Sequence, residues 1–206
     1  MLWISIGIII SYLIGSLPTA YLFGRMLKGI DIRKEGAGNV GATNAMRVLG
    51  KGPGITVLVL DILKGVLPVV FLRDFLLTRQ TMLSSDALGI LLGVSCIVGH
   101  NWTIFLQFKG GKGVATTLGV LIGLALVIKG LSIILGLVLL TWAVVFLFAR
   151  IVSLASVTAA FSLPVFSIVF KQSALLALSS IILSIFVILR HKSNLKRAFQ
   201  GKEPRL

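Results

Sequence analysis

The sequence predicts an all-α integral membrane protein of about seven transmembrane helices, N-terminus outside and C-terminus cytoplasmic, and three observations carry the prediction. Hydrophobic residues make up 57% of the 206 and charged residues only 13%, with a mean hydropathy of +1.06, which excludes an ordinary soluble domain. Apolar runs near the roughly 17–25 residues needed to cross a hydrocarbon core fall at about 3–24, 54–72, 83–99, 113–128, 131–149, 151–170 and 174–190, giving one polytopic membrane domain over 1–206. Lys and Arg follow the same register. Fifteen lie in the segments placed inside, four (Arg73, Arg79, Lys129, Lys171) in those placed outside, and Lys64 lies within a span, the bias expected of cytoplasmic loops.

The first run reads as an uncleaved helix rather than a signal peptide, because no positive residue precedes Leu2 while Arg25 and Lys28 follow the run. The fourth run is the weakest, its end marked only by Lys129 and Gly130; a re-entrant segment is the alternative. Ser11 and Gly15, Gly89 and Gly93, and Gly119 and Gly123 have the small-xxx-small spacing that lets helix backbones approach closely. Pro18, Pro68 and Pro164 are expected to kink their helices. Asp61 and Lys64 are costly in a bilayer, and their i, i+3 spacing favours a structural ion pair over a direct catalytic role. Cys96, the only cysteine, excludes an intrachain disulfide and reads as packing. In a soluble protein a net charge of +14 would suggest nucleic acid, but here the charges sit in loops between spans, so no nucleic-acid partner is expected.

Polar sequence concentrates on the cytoplasmic side. Residues 100–117 read HNWTIFLQFKGGKGVATT, where Gly110, Gly111 and Gly113 let backbone N–H groups turn toward an anion. Lys109 and Lys112 add full charges, and the helix that follows adds a positive dipole end. A positively charged turn that merely holds topology is the alternative, and the GxxxxGK[ST] spacing of a Walker loop is absent. The first loop, 31–52, interleaves Gly36, Gly38 and Gly41 with Asn39, Thr43 and Asn44, and adds Arg47, a planar fork suited to phosphate. That pattern reads as a second anion cradle; a flexible basic loop lying on anionic lipid headgroups is the alternative, which accounts for Arg33 and Lys34 but not for glycines interleaved with amides. In the tail, His191 and Asn194 fall three residues apart on one helix face, and histidine suits proton transfer near neutral pH. Ser153 and Ser156 begin the sixth run, where capping of the helix is favoured over contact with a phosphate. No nucleophile–base motif or metal-binding spacing is present. The remaining chemistry is transfer from an activated substrate by positioning and charge stabilisation, with no cofactor and no metal.

The segments GAGNVGATNAMR, GHNWTIFLQFKGGKGVAT and RHKSNLKRAFQGKE, in order and spacing, resemble the three cytoplasmic motifs of the acyl-phosphate-dependent bacterial membrane glycerol-3-phosphate acyltransferases of the PlsY type. GSLPTAYLFG, DILKG and VSLAS extend the resemblance over essentially the whole chain. It implies a seven-helix fold in a bacterial plasma membrane and acyl transfer from acyl phosphate to the 1-hydroxyl of sn-glycerol 3-phosphate, giving lysophosphatidic acid. Carried over, it makes Arg47, Lys112, His191 and Asn194 catalytic, and Asn39, Asn44, Lys109, Gly110, Gly111, Gly113 and Ser153 substrate-binding. Glu203 matches a glutamate of structural character. The expected partners are the two substrates and membrane lipids, and the chain is expected to act as a monomer. One departure stands out: the family has serine between the first two glycines of the first motif, where this chain has Ala37. A transporter is the competing class, but its site is expected at the bilayer midplane rather than at one interface.

Overall fold

The structure is a computed structural model that describes residues 1–79 and 81–205, and its regular elements there are all helical. It divides into two compact units, Met1–Val127 and Ile128–Leu206.

In the first unit, α1 (Leu2–Ser16) and α2 (Thr19–Lys28) form one apolar stretch interrupted at Pro18, which lacks the N–H needed to continue the helix. Gly29, at φ 67°, ends α2. A 3-10 turn (Ile32–Lys34) and α3 (Ala42–Leu49) belong to the first loop. The second span is α4 (Lys51–Leu67), a π turn (Pro68–Leu72) and α5 (Arg73–Leu77), so Pro68, where a kink was expected, opens a π segment within one helical stretch. The third, α6 (Ser85–Asn101), starts where Ser84 Oγ accepts a hydrogen bond from the Ala87 N–H at 3.3 Å.

Close packing holds these helices side by side where the small residues were expected to act. A Cβ added at Gly15 would lie 1.9 Å from the Cys96 carbonyl oxygen, and one at Gly99 2.1 Å from that of Tyr12, so α1 and α6 touch backbone to backbone. Ser11 Oγ donates to the Leu92 carbonyl at 2.5 Å across the same seam. α4 meets α7 (Val114–Ala125) in the same way: a Cβ at Gly119 would lie 1.9 Å from the Ile62 oxygen and one at Gly65 2.3 Å from that of Thr116. With no hydrophobic drive between helices in lipid, this proximity supplies the dispersion contact that holds them.

α7 has 12 residues, about 18 Å of helix at 1.5 Å per residue, against a hydrocarbon core of about 30 Å. The run expected to be helical over 113–128 therefore stops early, at Ala125, with turns after it. Even so, α7 starts beside Asn101 and reaches Leu124 beside Gly89, so it parallels most of α6.

The second unit contains α8 (Leu131–Ala149), α9 (Val152–Val169), α10 (Ala174–Arg190) and α11 (Lys192–Phe199). Tight turns with Arg150 and Lys171 in the left-handed region (φ 56° and 51°) join the first three, and Trp142 Nε1 donates to Ser156 Oγ across α8 and α9 at 3.2 Å. Pro164 sits inside a continuous α9. α10 and α11 meet at a 59° bend. Exposed Leu140, Leu147 and Phe148 on α8 are the surface of a helix solvated by lipid.

Among the described residues, five helical stretches are long and apolar enough to cross a membrane, six if the bent α10–α11 pair counts as one, and α7 is shorter. The protein is an all-helical integral membrane protein.

Candidate active site

The first loop is shaped by amides. Asn44 is 1% exposed; its Oδ1 accepts the Ala37 N–H at 2.7 Å and its Nδ2 faces the carbonyls of Asn39 (2.8 Å), Glu35 (3.1 Å) and Ile32 (3.2 Å). Asn39 closes a smaller turn, accepting from the Gly41 N–H at 3.0 Å and donating to the Ala37 carbonyl at 3.2 Å. Both side chains, expected at a substrate, are engaged in folding the loop around Gly36 and Gly38, whose φ values of 58° and 67° suit glycine. Arg33 hydrogen-bonds Asp31 and thereby holds its carboxyl down at about 2. Arg47 differs from these residues. It is exposed on α3 and pairs with no protein group among the described residues, so its guanidinium can take an anion.

The GGKG segment is folded onto the end of α6. The Gly111 N–H donates to the His100 carbonyl at 3.0 Å and the Gly110 N–H to that of Asn101 at 3.2 Å. A Cβ at Gly113 would lie 2.6 Å from Asn101 Oδ1, and Gly113, at φ 79°, is the N-cap of α7. The Asn101 amide and the Thr116 and Thr117 hydroxyls are buried there with no protein hydrogen-bond partner among the described residues. Upstream, Gln107 and Phe108 hold φ of 55° and 61°, a conformation costly outside glycine, and this turn leaves Lys109 exposed. Lys112 is half-buried.

The two loops meet in one core. Leu106, from the second, packs with Ile32, Val40, Ala45 and Leu49 of the first and with Val57 of α4. Sequence spacing carried no sign of this convergence, because the segments lie some sixty residues apart along the chain.

Beneath them, Lys64 Nζ lies 2.8 Å from Asp61 Oδ1 and donates to the Leu17 carbonyl at 3.0 Å, at the Pro18 break. Thr19 Oγ1 donates to Asp61 Oδ1 at 2.6 Å, and His100 Nδ1 lies 4.0 Å from that oxygen. The ion pair was legible from its spacing; Thr19 and His100, on other helices, were not. Cys96 Sγ donates to the Lys64 carbonyl at 3.1 Å.

In the second unit, His191 and Asn194 are both buried at the α10–α11 bend. His191 Nδ1 lies 2.8 Å from the Val187 carbonyl. A carbonyl only accepts, so Nδ1 carries a proton and basicity in the neutral ring belongs to Nε2. Glu203 folds back beneath: its Oε1 accepts from Asn194 Nδ2 (2.6 Å) and Ser153 Oγ (2.9 Å), and its Oε2 from Arg197 Nε (2.8 Å). Burial pushes the Glu203 carboxyl up, but these three donors outweigh it and hold the group below its ordinary value. The favoured reading of Ser153 and Ser156 as helix caps is corrected. The N-cap of α9 is Ile151, and the two hydroxyls instead serve Glu203 and Trp142.

The sequence profile described as glycerol-3-phosphate acyltransferase matches residues 5–201. A glycerol-3-phosphate acyltransferase of Synechococcus elongatus is 46% identical over 199 residues, 96% of this chain and 92% of that one. Glycerol-3-phosphate acyltransferase 2 of Moorella thermoacetica is 42% identical over 205 residues, 100% of this chain and 98% of that one. Among solved structures, PlsY, an integral membrane glycerol 3-phosphate acyltransferase, matches in its glycerol 3-phosphate form with a TM-score of 0.85 and 35% identity, and in its lysophosphatidic acid form with 0.82 and 34%; both cover 98% of this chain and 95% of that one. With the profile matching nearly end to end and identities of this size, the chain belongs to the glycerol-3-phosphate acyltransferase family.

Proposed function

We propose that the protein transfers a fatty acyl group from acyl phosphate to the 1-hydroxyl of sn-glycerol 3-phosphate, releasing phosphate and lysophosphatidic acid, in phospholipid synthesis at the cytoplasmic face of a bacterial plasma membrane. The observation that carries this reading is the convergence of the two glycine-rich loops on Leu106, with Arg47 exposed on one and unpaired among the described residues, and Lys112 beside the α7 N-terminus on the other. Cations and helix N-termini are what a phosphate dianion requires.

In the reaction the hydroxyl oxygen bonds to the acyl carbon, the acyl–phosphate C–O bond breaks, and the leaving phosphate carries off its electron pair. Arg47 and Lys112 stabilise the charge and Lys109 attracts the glycerol phosphate, while Gly110, Gly111 and Gly113 let the loop pass close beside it, the Gly110 and Gly111 N–H groups being taken up by the Asn101 and His100 carbonyls rather than by the anion. Asn39 and Asn44 serve by holding the first loop in shape. The hydroxyl proton goes to His191 Nε2 or to a substrate phosphate oxygen, and Glu203 orients Asn194 with the help of Ser153. In this reading the N-terminus is outside and the chain crosses seven times, α7 counting as a short crossing because it parallels most of α6.

The test is transfer from palmitoyl phosphate to radiolabelled glycerol 3-phosphate by purified protein in nanodiscs, with palmitoyl-CoA and palmitoyl acyl carrier protein offered in parallel. Labelled lysophosphatidic acid from palmitoyl phosphate alone is expected. Turnover with a thioester donor only would overturn the donor assignment, and no turnover with any of the three would overturn the function.

A further inference from the structure

We infer that His100 is a positioning residue that fixes the backbone of the GGKG segment from below and ties it to the intramembrane Asp61–Lys64 pair. The inference rests on the assignment of that segment to glycerol phosphate. Three contacts place the ring. Its own backbone carbonyl accepts the Gly111 N–H at 3.0 Å. A Cβ built on Gly111 would stand 2.2 Å from His100 Nε2 and 2.9 Å from Cε1, so one edge of the imidazole abuts the Gly111 backbone directly. The other ring nitrogen, Nδ1, lies 4.0 Å from Asp61 Oδ1, the oxygen also engaged by Lys64 and Thr19.

All these groups are buried, His100 at 6% exposure, Lys64 at 5% and Asp61 at 1%. A close-packed ring in such surroundings cannot yield without moving its neighbours. Gly111 thus rests on a rigid support, and the requirement for glycine there arises from the imidazole beneath the loop. The ordinary account of a cradle glycine, close approach of the backbone to the anion, predicts a different genetic behaviour, and the two can be separated.

Gly111→Ala should raise the KM for glycerol 3-phosphate by up to about 100-fold, the scale of rate loss when a group is misplaced by 1 Å, while the KM for palmitoyl phosphate stays within about twofold. The deciding variants remove the ring edge. His100→Ala/Gly111→Ala and His100→Asn/Gly111→Ala should each have a lower KM for glycerol 3-phosphate than Gly111→Ala alone, a coupling that independent sites do not show. His100→Asn keeps a short amide that can face Asp61, so it decides the matter if His100→Ala fails to fold, as judged by monodispersity and thermal unfolding. If the loss caused by Gly111→Ala is undiminished in a folded His100 variant, the methyl group obstructs the anion itself and the inference fails. Wild-type protein that turns over no palmitoyl phosphate would overturn the functional reading and this inference with it, whereas active wild type with unrelieved Gly111→Ala overturns the role of His100 alone.

Discussion

At the scale of single residues, the first loop separates side chains that build from a side chain that is offered. Asn44 spends its amide on four backbone groups, whereas Arg47, three residues on along α3, meets none. Asn44→Leu leaves a buried N–H and carbonyls without partners, at about 1–3 kcal/mol for an unsatisfied group, so thermal unfolding should fall in midpoint and activity with it. Arg47→Ala should leave that midpoint within experimental scatter and abolish most acyl transfer, since no neighbour replaces a bidentate cation. Ala37 sits between Gly36 and Gly38, its N–H held by Asn44. Ala37→Ser restores the hydroxyl of the family pattern and should raise kcat/KM by at most about 1.5–3 kcal/mol of transition-state stabilisation, the range for a hydrogen bond to a charged group. Steady-state kinetics with palmitoyl phosphate on the three variants tests the division. A dead wild type revived by Ala37→Ser would mean the serine is indispensable to the chemistry.

At the scale of elements, glycines on two helices successive in the chain should respond oppositely to the same change. Gly119 of α7 faces the Ile62 carbonyl, where a Cβ would lie 1.9 Å away, while around Gly136 of α8 nothing lies within 4 Å of an added Cβ. Gly119→Ala should destabilise by about 1–3 kcal/mol, the usual cost of overpacking. Gly136→Ala should be neutral or slightly stabilising, by about 0.5–1 kcal/mol for a glycine removed from a helix interior. Thermal unfolding in one detergent compares them directly. The clamp on α11 carries a pH dependence. Glu203 is held below its ordinary carboxylate value, so its contribution is complete above the unfolded pKa of 4.5 and is lost as pH falls through the depressed folded value. Limited proteolysis of the tail between pH 7 and pH 3 should show release at the acid end. Glu203→Gln should show release that no longer depends on pH in that window.

For the whole molecule, the proposed orientation rests on the distribution of Lys and Arg, and one experiment tests it. Cys96→Ser keeps a donor for the Lys64 carbonyl and gives a cysteine-free background. Ser84 and Ser193 are both exposed. A membrane-impermeant maleimide added to intact cells should label Ser84→Cys and miss Ser193→Cys; the reverse would invert the topology. Much of the all-helical membrane architecture was readable in one dimension, because lipid solvation imposes long apolar runs and an i, i+3 pair such as Asp61 and Lys64 is set by helical pitch alone. The motif residues could be named as candidates from the sequence, since glycines and cations at a helix start suit an anion. What the linear order could not contain was which groups serve one another across elements. Only the tertiary structure set Leu106 into the core of the first loop, folded Glu203 back onto Ser153 and Asn194, and stood His100 between Asp61 and Gly111. Those arrangements depend on where separate helices end in space, and that is decided by backbone-to-backbone packing at glycines whose partners lie tens of residues away.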